Sequence, residues 1–90
     1  MTREDIKNLK LLASKKRLEN ANRYLMTEEE KMEFDRLLQD FERLHDSIPK
    51  AIFYMHDFLG IGHKEISKIL NFSYMTVRIY YSDIVDILTS

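Results

Sequence analysis

Only three residues in this chain break regular helix through their own backbone chemistry, and all three lie in one short stretch: Pro49, Gly60 and Gly62. Proline is tolerated in the first turn of a helix but not in its interior, so Pro49 closes one helix or opens the next. Glycine adopts left-handed backbone angles at little cost, so Gly60-Ile61-Gly62 is a stop. The long runs on either side are left free to be helical. Gly-Ile-Gly is too short for a phosphate loop and has neither the lysine nor the strand context, which excludes nucleotide binding by that route.

Cap signals and apolar spacing mark out the helices. Thr2 with Asp5 three residues later predicts a first helix from Arg3 to about Leu25. Its apolar residues form two rows: Ile6, Leu9, Leu12 and Ala13 on one side, Leu11, Leu18, Ala21 and Leu25 on another. Thr27 before Glu28, Glu29 and Glu30 starts a second helix, with negative charge where the helix dipole favours it. That helix presents Phe34, Leu37, Leu38, Phe41, Leu44 and Ile48, a stripe that pairs with Leu11, Leu18 and Leu25 in an antiparallel hairpin. A third helix over about Lys50 to Leu59 buries Ile52, Met55 and Leu59, with Ala51 and Phe58 at its edges. The fourth, about His63 to Leu70, buries Ile66, Ile69 and Leu70. Asn71 suits a left-handed position, and Ser73 caps a fifth helix that extends towards Leu88. Val77, Tyr81, Ile84 and Leu88 form its inner stripe, flanked by Tyr80 and Ile87. The expected fold is all-α: an amino-terminal antiparallel helical hairpin over residues 1–48, then a three-helix unit containing a helix-turn-helix over residues 49–90.

Charge is close to balanced, at a net of -1, but unevenly distributed. Residues 1–26 carry seven bases and three acids, residues 27–46 three and eight, and the remainder four of each. A basic helix beside an acidic one suits two packed helices with complementary sides. This is not the composition of a bulk-basic nucleic-acid binder, so any DNA site must be local. Cysteine is absent, which removes disulfides, thiolate chemistry and cysteine zinc sites. The amino terminus is polar from Thr2, without an apolar run suited to a signal peptide or membrane span, so a cytoplasmic protein with no membrane partner is expected.

A short helix, a tight turn and a capped second helix give the order of a helix-turn-helix. The second helix is then the recognition helix, and its outward side carries Met75, Arg78, Ile79 and Ser82, with Tyr74 and Thr76 near the leading edge. Arg78 suits guanine or phosphate, Thr76 and Ser73 suit phosphate, and Met75 or Ile79 suits thymine methyls. Lys64 and Lys68 are placed for the DNA backbone. Tyr74 suits partly buried packing more than base contact. An exposed apolar pair such as Met75 and Ile79 calls for a DNA, protein or dimer partner. The rows of the first helix, Ile6, Leu9 and Leu12 together with Leu11, Leu18 and Leu25, are the expected association surface for a homodimer or a partner protein.

The segment from Glu65 to Arg78 resembles the helix-turn-helix of region four of bacterial sigma factors, and of small sigma-like regulators encoded by phages of low-GC Gram-positive bacteria. Those families favour a Glu-Ile-Ala start, a Leu-Gly or Leu-Asn turn, a serine cap and a Thr-Val pair. Glu65-Ile66-Ser67, Leu70-Asn71, Ser73 and Thr76-Val77 stand at the matching places. The resemblance covers roughly Lys50 to Leu88. It implies that residues Ser73 to Ser82 face promoter DNA and that the fifth helix also meets RNA polymerase or an activator. Two features depart from it: Gly60-Ile61-Gly62-His63 is less polar than many such linkers, and Arg78 is the only base on the recognition helix. A site with so few bases releases few counterions and binds weakly alone, so a dimer or RNA polymerase is expected to supply the rest.

Nothing in the sequence assembles a catalytic set. His45, His56 and His63 fall on separate predicted helices or caps, and His56 and Asp57, as neighbours, point in different directions from a helix. No serine has an assignable base, and Glu28, Glu29, Glu30, Glu33 and Asp40 suit a solvated face. The expectation is a sequence-specific transcription regulator of a phage or mobile element that binds duplex DNA, without enzymatic activity, cofactor or metal. A protein-interaction module on the same scaffold is the alternative.

Overall fold

The computed structural model describes residues 1–89, and among them every regular element is helical. The elements are α1 (Arg3–Asn20), α2 (Glu28–Glu42), α3 (Ile48–Phe53) continued by a π-helical turn (Tyr54–Phe58), α4 (His63–Leu70), α5 (Tyr74–Ser82) and α6 (Ile84–Thr89). None of them is long and apolar enough to cross a membrane.

The caps form as the sequence predicts. Thr2 accepts a hydrogen bond from the Asp5 amide while Asp5 accepts from that of Thr2, and Thr27 and Glu30 repeat the exchange. Ser47 caps α3 by accepting from the Lys50 amide, which puts Pro49 in the first turn and starts this helix at Ile48, not at Lys50.

The first helix is shorter than its apolar rows suggest. It stops at Asn20 because Asn22 takes left-handed angles (φ 58°), which lets the Arg23 amide donate to Leu18 O (2.8 Å) and the Asn22 amide to Glu19 O (3.0 Å). Leu25 therefore lies in the connection. Met26 turns inward there and is buried, its amide donating to the Glu19 carboxylate at 2.9 Å.

The expected pairing of Leu11, Leu18 and Leu25 with α2 does not occur, and all three are exposed. The other row does the packing. Ile6, Leu9 and Leu12 are buried with Met26, Leu37, Phe41, Phe53, Ile84 and Leu88 in the larger core, which joins residues from before and after Pro49. Ile6, Leu9 and Leu12 are thus withdrawn from the expected association surface, because they are already spent on this chain's own interior. Ion pairs Lys15–Glu30 (2.5 Å) and Arg36–Asp5 (3.5 Å) bridge α1 and α2. A smaller core of Ile52, Ile66 and Val77 lies between α3, α4 and α5. Neighbouring residues of α3, Ile52 and Phe53, point into the two different cores and so couple them.

The π turn explains why the expected inner row of α3 fails at its end: Ile52 is buried and Met55 packs against the smaller core, but Leu59 is not covered. Its Leu59 amide donates to Tyr54 O, five residues back, at 3.1 Å. A wider turn advances each residue by a smaller angle, so the regular spacing of Ile52, Met55 and Leu59 slips out of phase. Leu59 is exposed, whereas Phe53 and Asp57 are buried. Gly60 ends the turn at φ 73°, an angle that calls for glycine; a Cβ there would stand 2.9 Å from an Arg17 guanidinium nitrogen, the tip of an exposed, flexible side chain. The fifth helix also ends early: the chain breaks at Asp83, and Ile84 and Leu88 reach the larger core from the separate α6.

Candidate nucleic-acid interface

The unit α4–turn–α5 is built by local chemistry on both sides of the turn. Asn71 sits at φ 58°, and the Phe72 amide donates to Ser67 O (2.9 Å) while the Asn71 amide donates to Lys68 O (3.3 Å). This six-to-one closure ends α4 after Leu70. Ser73 then starts α5, its Oγ accepting from the Thr76 amide at 3.1 Å and lying 2.8 Å from the Thr76 hydroxyl. Ile66 and Val77 face each other in the smaller core, with Leu70, Phe72 and Tyr80 packed around them.

Inward packing of Val77 fixes what α5 shows to solvent. Tyr74, Met75, Arg78, Ile79 and Ser82 are all exposed, at the i, i+1, i+4, i+5, i+8 spacing of one helix face. On α4 the exposed residues are Lys64, Glu65, Lys68 and Ile69 at the same spacing. Ile69 was expected in the core, but the short α4 needs only Ile66 and part of Leu70 to seat it. Met75 is 63% exposed and Ile79 58%. Among the described residues, Lys64, Lys68 and Arg78 form no ion pair. The Arg78 guanidinium lies 5.7 Å from the centre of the Tyr74 ring, a cation–π contact that steadies it over α5. Two hydroxyls are partly engaged already: Ser82 donates to Ile79 O at 2.9 Å, and Thr76 is half-buried beside Ser73.

Beneath this face lies a polar cluster that the sequence did not disclose. The π turn directs Asp57 inward, where its carboxylate accepts a 2.8 Å hydrogen bond from the Tyr81 hydroxyl of α5. His56, on the same turn, has Nδ1 2.9 Å from Ile61 O. Its ring centre is 4.4 Å from that of His63, the first residue of α4, and 4.7 Å from that of Tyr81. Lys10 of α1 places its ammonium 4.5 Å from the Tyr81 ring centre. One cluster therefore ties α1, the π turn, α4 and α5 together and sets the pose of the helix pair. Burial, then the neighbouring His56 and Arg78, pushes the His63 imidazole below its ordinary pKa, and Nε2 is buried without a hydrogen-bond partner among the described residues. Burial and the bond to Asp57 push the Tyr81 phenol well above its usual range. Among the described residues no group of three histidine or acidic side chains is arranged to hold a metal ion.

Expected DNA-contacting residues Lys64, Lys68, Ser73, Tyr74, Met75, Arg78, Ile79 and Ser82 are thus all at the surface, with Thr76 half-buried. Of the expected association surface, only Leu11, Leu18 and Leu25 are, Leu25 at 80% exposure. Comparison of the chain with known protein families, curated proteins and solved structures finds no match.

Proposed function

We propose that this chain is a cytoplasmic, sequence-specific DNA-binding regulator of transcription that presents α5 to the major groove as the recognition helix of a helix-turn-helix. The observation that carries the reading is the outward face of α5. It contains one base, Arg78, and no acid from Tyr74 to Ser82, while Lys64 and Lys68 stand on α4 without acidic partners among the described residues. Lys64 and Lys68 hold phosphates and fix register, and Arg78 donates to a base edge or an adjacent phosphate. The likeness of Glu65 to Arg78 to sigma region four supports a promoter as the target and RNA polymerase as a neighbour, in the setting of a phage or mobile element.

The test is binding to a library of genomic fragments across a range of salt. Specific retention that weakens with salt and falls strongly with Arg78→Glu supports the reading. Specific retention undiminished by that substitution overturns the placement of the recognition face.

A second reading, a protein-interaction module, draws on a different surface. Leu11, Leu18 and Leu25 on α1 and its connection, with Met32 on α2, are exposed apolar residues, Leu11 beside Glu29 and Glu33 and Leu18 beside Arg17 and Arg23. They suit a second copy or a regulatory protein, which would supply the affinity that three bases do not. Sedimentation separates a dimer from a monomer, and a pull-down after nuclease treatment tests for RNA polymerase or another regulator.

A further inference from the structure

We propose that Met75 and Ile79 read thymine methyl groups, so that the preferred ligand of α5 is a duplex with two closely spaced thymines. This rests on the proposed DNA-binding function and names what that site selects. The face offers little for hydrogen-bonded readout: between Tyr74 and Ser82 there is no asparagine, glutamine, lysine or acid, and the Ser82 hydroxyl donates to its own helix. Two apolar side chains stand open on it instead, Met75 at 63% exposure and Ile79 at 58%. The thymine C5 methyl is the apolar group that the major groove displays. Bases outnumber acids around them, which suits phosphate: Arg78 lies between the two in sequence, steadied by the Tyr74 ring, and Lys64 and Lys68 stand on α4 with one acid, Glu65.

Met75 and Ile79 are four residues apart on one row, about 6 Å along the axis at the helical rise. For a helix lying along the groove that is about two base steps of 3.4 Å. The recognised element is therefore a pair of thymines with about one base between their contact points. Methionine, unbranched and flexible, follows the methyl as the helix settles, whereas β-branched Ile79 holds a fixed position.

The experiment selects duplexes with the full chain from a random 20-base-pair pool, then resynthesises the selected duplex with uracil in place of thymine, which removes the methyls alone. Burial of one methyl corresponds to about fourfold in affinity, so loss of both lowers binding by about 15-fold. Ile79→Ala, an exposed substitution, lowers affinity for the thymine duplex and shrinks the difference between the thymine and uracil forms. Equal binding of the two forms by the wild-type chain overturns the inference and leaves DNA binding standing. A pool from which nothing is enriched overturns both.

Discussion

The Tyr81 hydroxyl reaches across 24 residues of sequence to donate a 2.8 Å hydrogen bond to the buried Asp57 carboxylate, joining α5 to the π turn. Tyr81→Phe removes the donor and leaves the buried oxygen without it, so the variant loses about 1 to 3 kcal/mol of stability. The midpoint of urea unfolding measures this. The wild-type phenol also keeps its proton in the folded state beyond the ordinary tyrosine value of 10.0. Stability from that group is full below this value and is lost as pH rises above it. Tyr81→Phe should therefore flatten the alkaline limb of stability against pH.

The His63 imidazole is held below 6.5 by burial first and by the neighbouring His56 and Arg78 second. The unfolded chain takes up this proton more readily, so stability is full above about 6.5 and falls as pH drops below it. Urea midpoints at neutral and mildly acidic pH measure the fall. In His63→Gln it should be smaller, and a fall of undiminished size would assign it to other groups.

Glu30 is held down to about 2 by Lys15, by the Thr27 amide and by Tyr24. A carboxylate depressed in the folded state contributes stability above its ordinary value of 4.5 and loses it as pH falls toward 2. Glu30→Gln is expected to make acid unfolding less steep over that window, as followed by circular dichroism.

Asn71 holds a left-handed angle that alanine adopts only at a cost of about 1 to 2 kcal/mol. Asn71→Ala should lose roughly that much stability, and Asn71→Gly little or none. Thermal unfolding of the pair decides whether the turn between α4 and α5 depends on this angle.

If Lys64, Lys68 and Arg78 are the phosphate-facing bases, the logarithm of affinity should fall with the logarithm of salt with a slope no steeper than about -3 per subunit. A much steeper slope would recruit bases elsewhere, with those of α1 the first to replace.

The Ser73 cap and the start signals at Thr2 and Thr27 were legible in the sequence because each is a bond between a side chain and a backbone a few residues away, and the turn at Asn71 because asparagine tolerates left-handed angles. The choice between the two apolar rows of α1 was not. Leu11, Leu18 and Leu25 are as apolar as Ile6, Leu9 and Leu12, and only tertiary packing with Leu37, Phe41, Phe53, Ile84 and Leu88 decides which row is covered. The early end of α1 did carry a signal, the pair Asn20 and Asn22, which the continuing apolar pattern outweighed. The π turn left no such trace. Ile52, Met55 and Leu59 keep regular helical spacing, and the slip that brings Asp57 to Tyr81 is a product of tertiary packing. On the candidate interface, cap and outward face were readable, but the polar cluster that fixes their pose was not.

Ile6 and Leu9 leave the ribosome well before Ile84 and Leu88, yet they share one interior. During synthesis Met26, Leu37 and Phe41 can begin to cover the apolar row of α1, but the core is closed only when α6 has left the exit tunnel. Until then the nascent chain offers part of Ile6, Leu9 and Phe53 to chaperones and proteases alike.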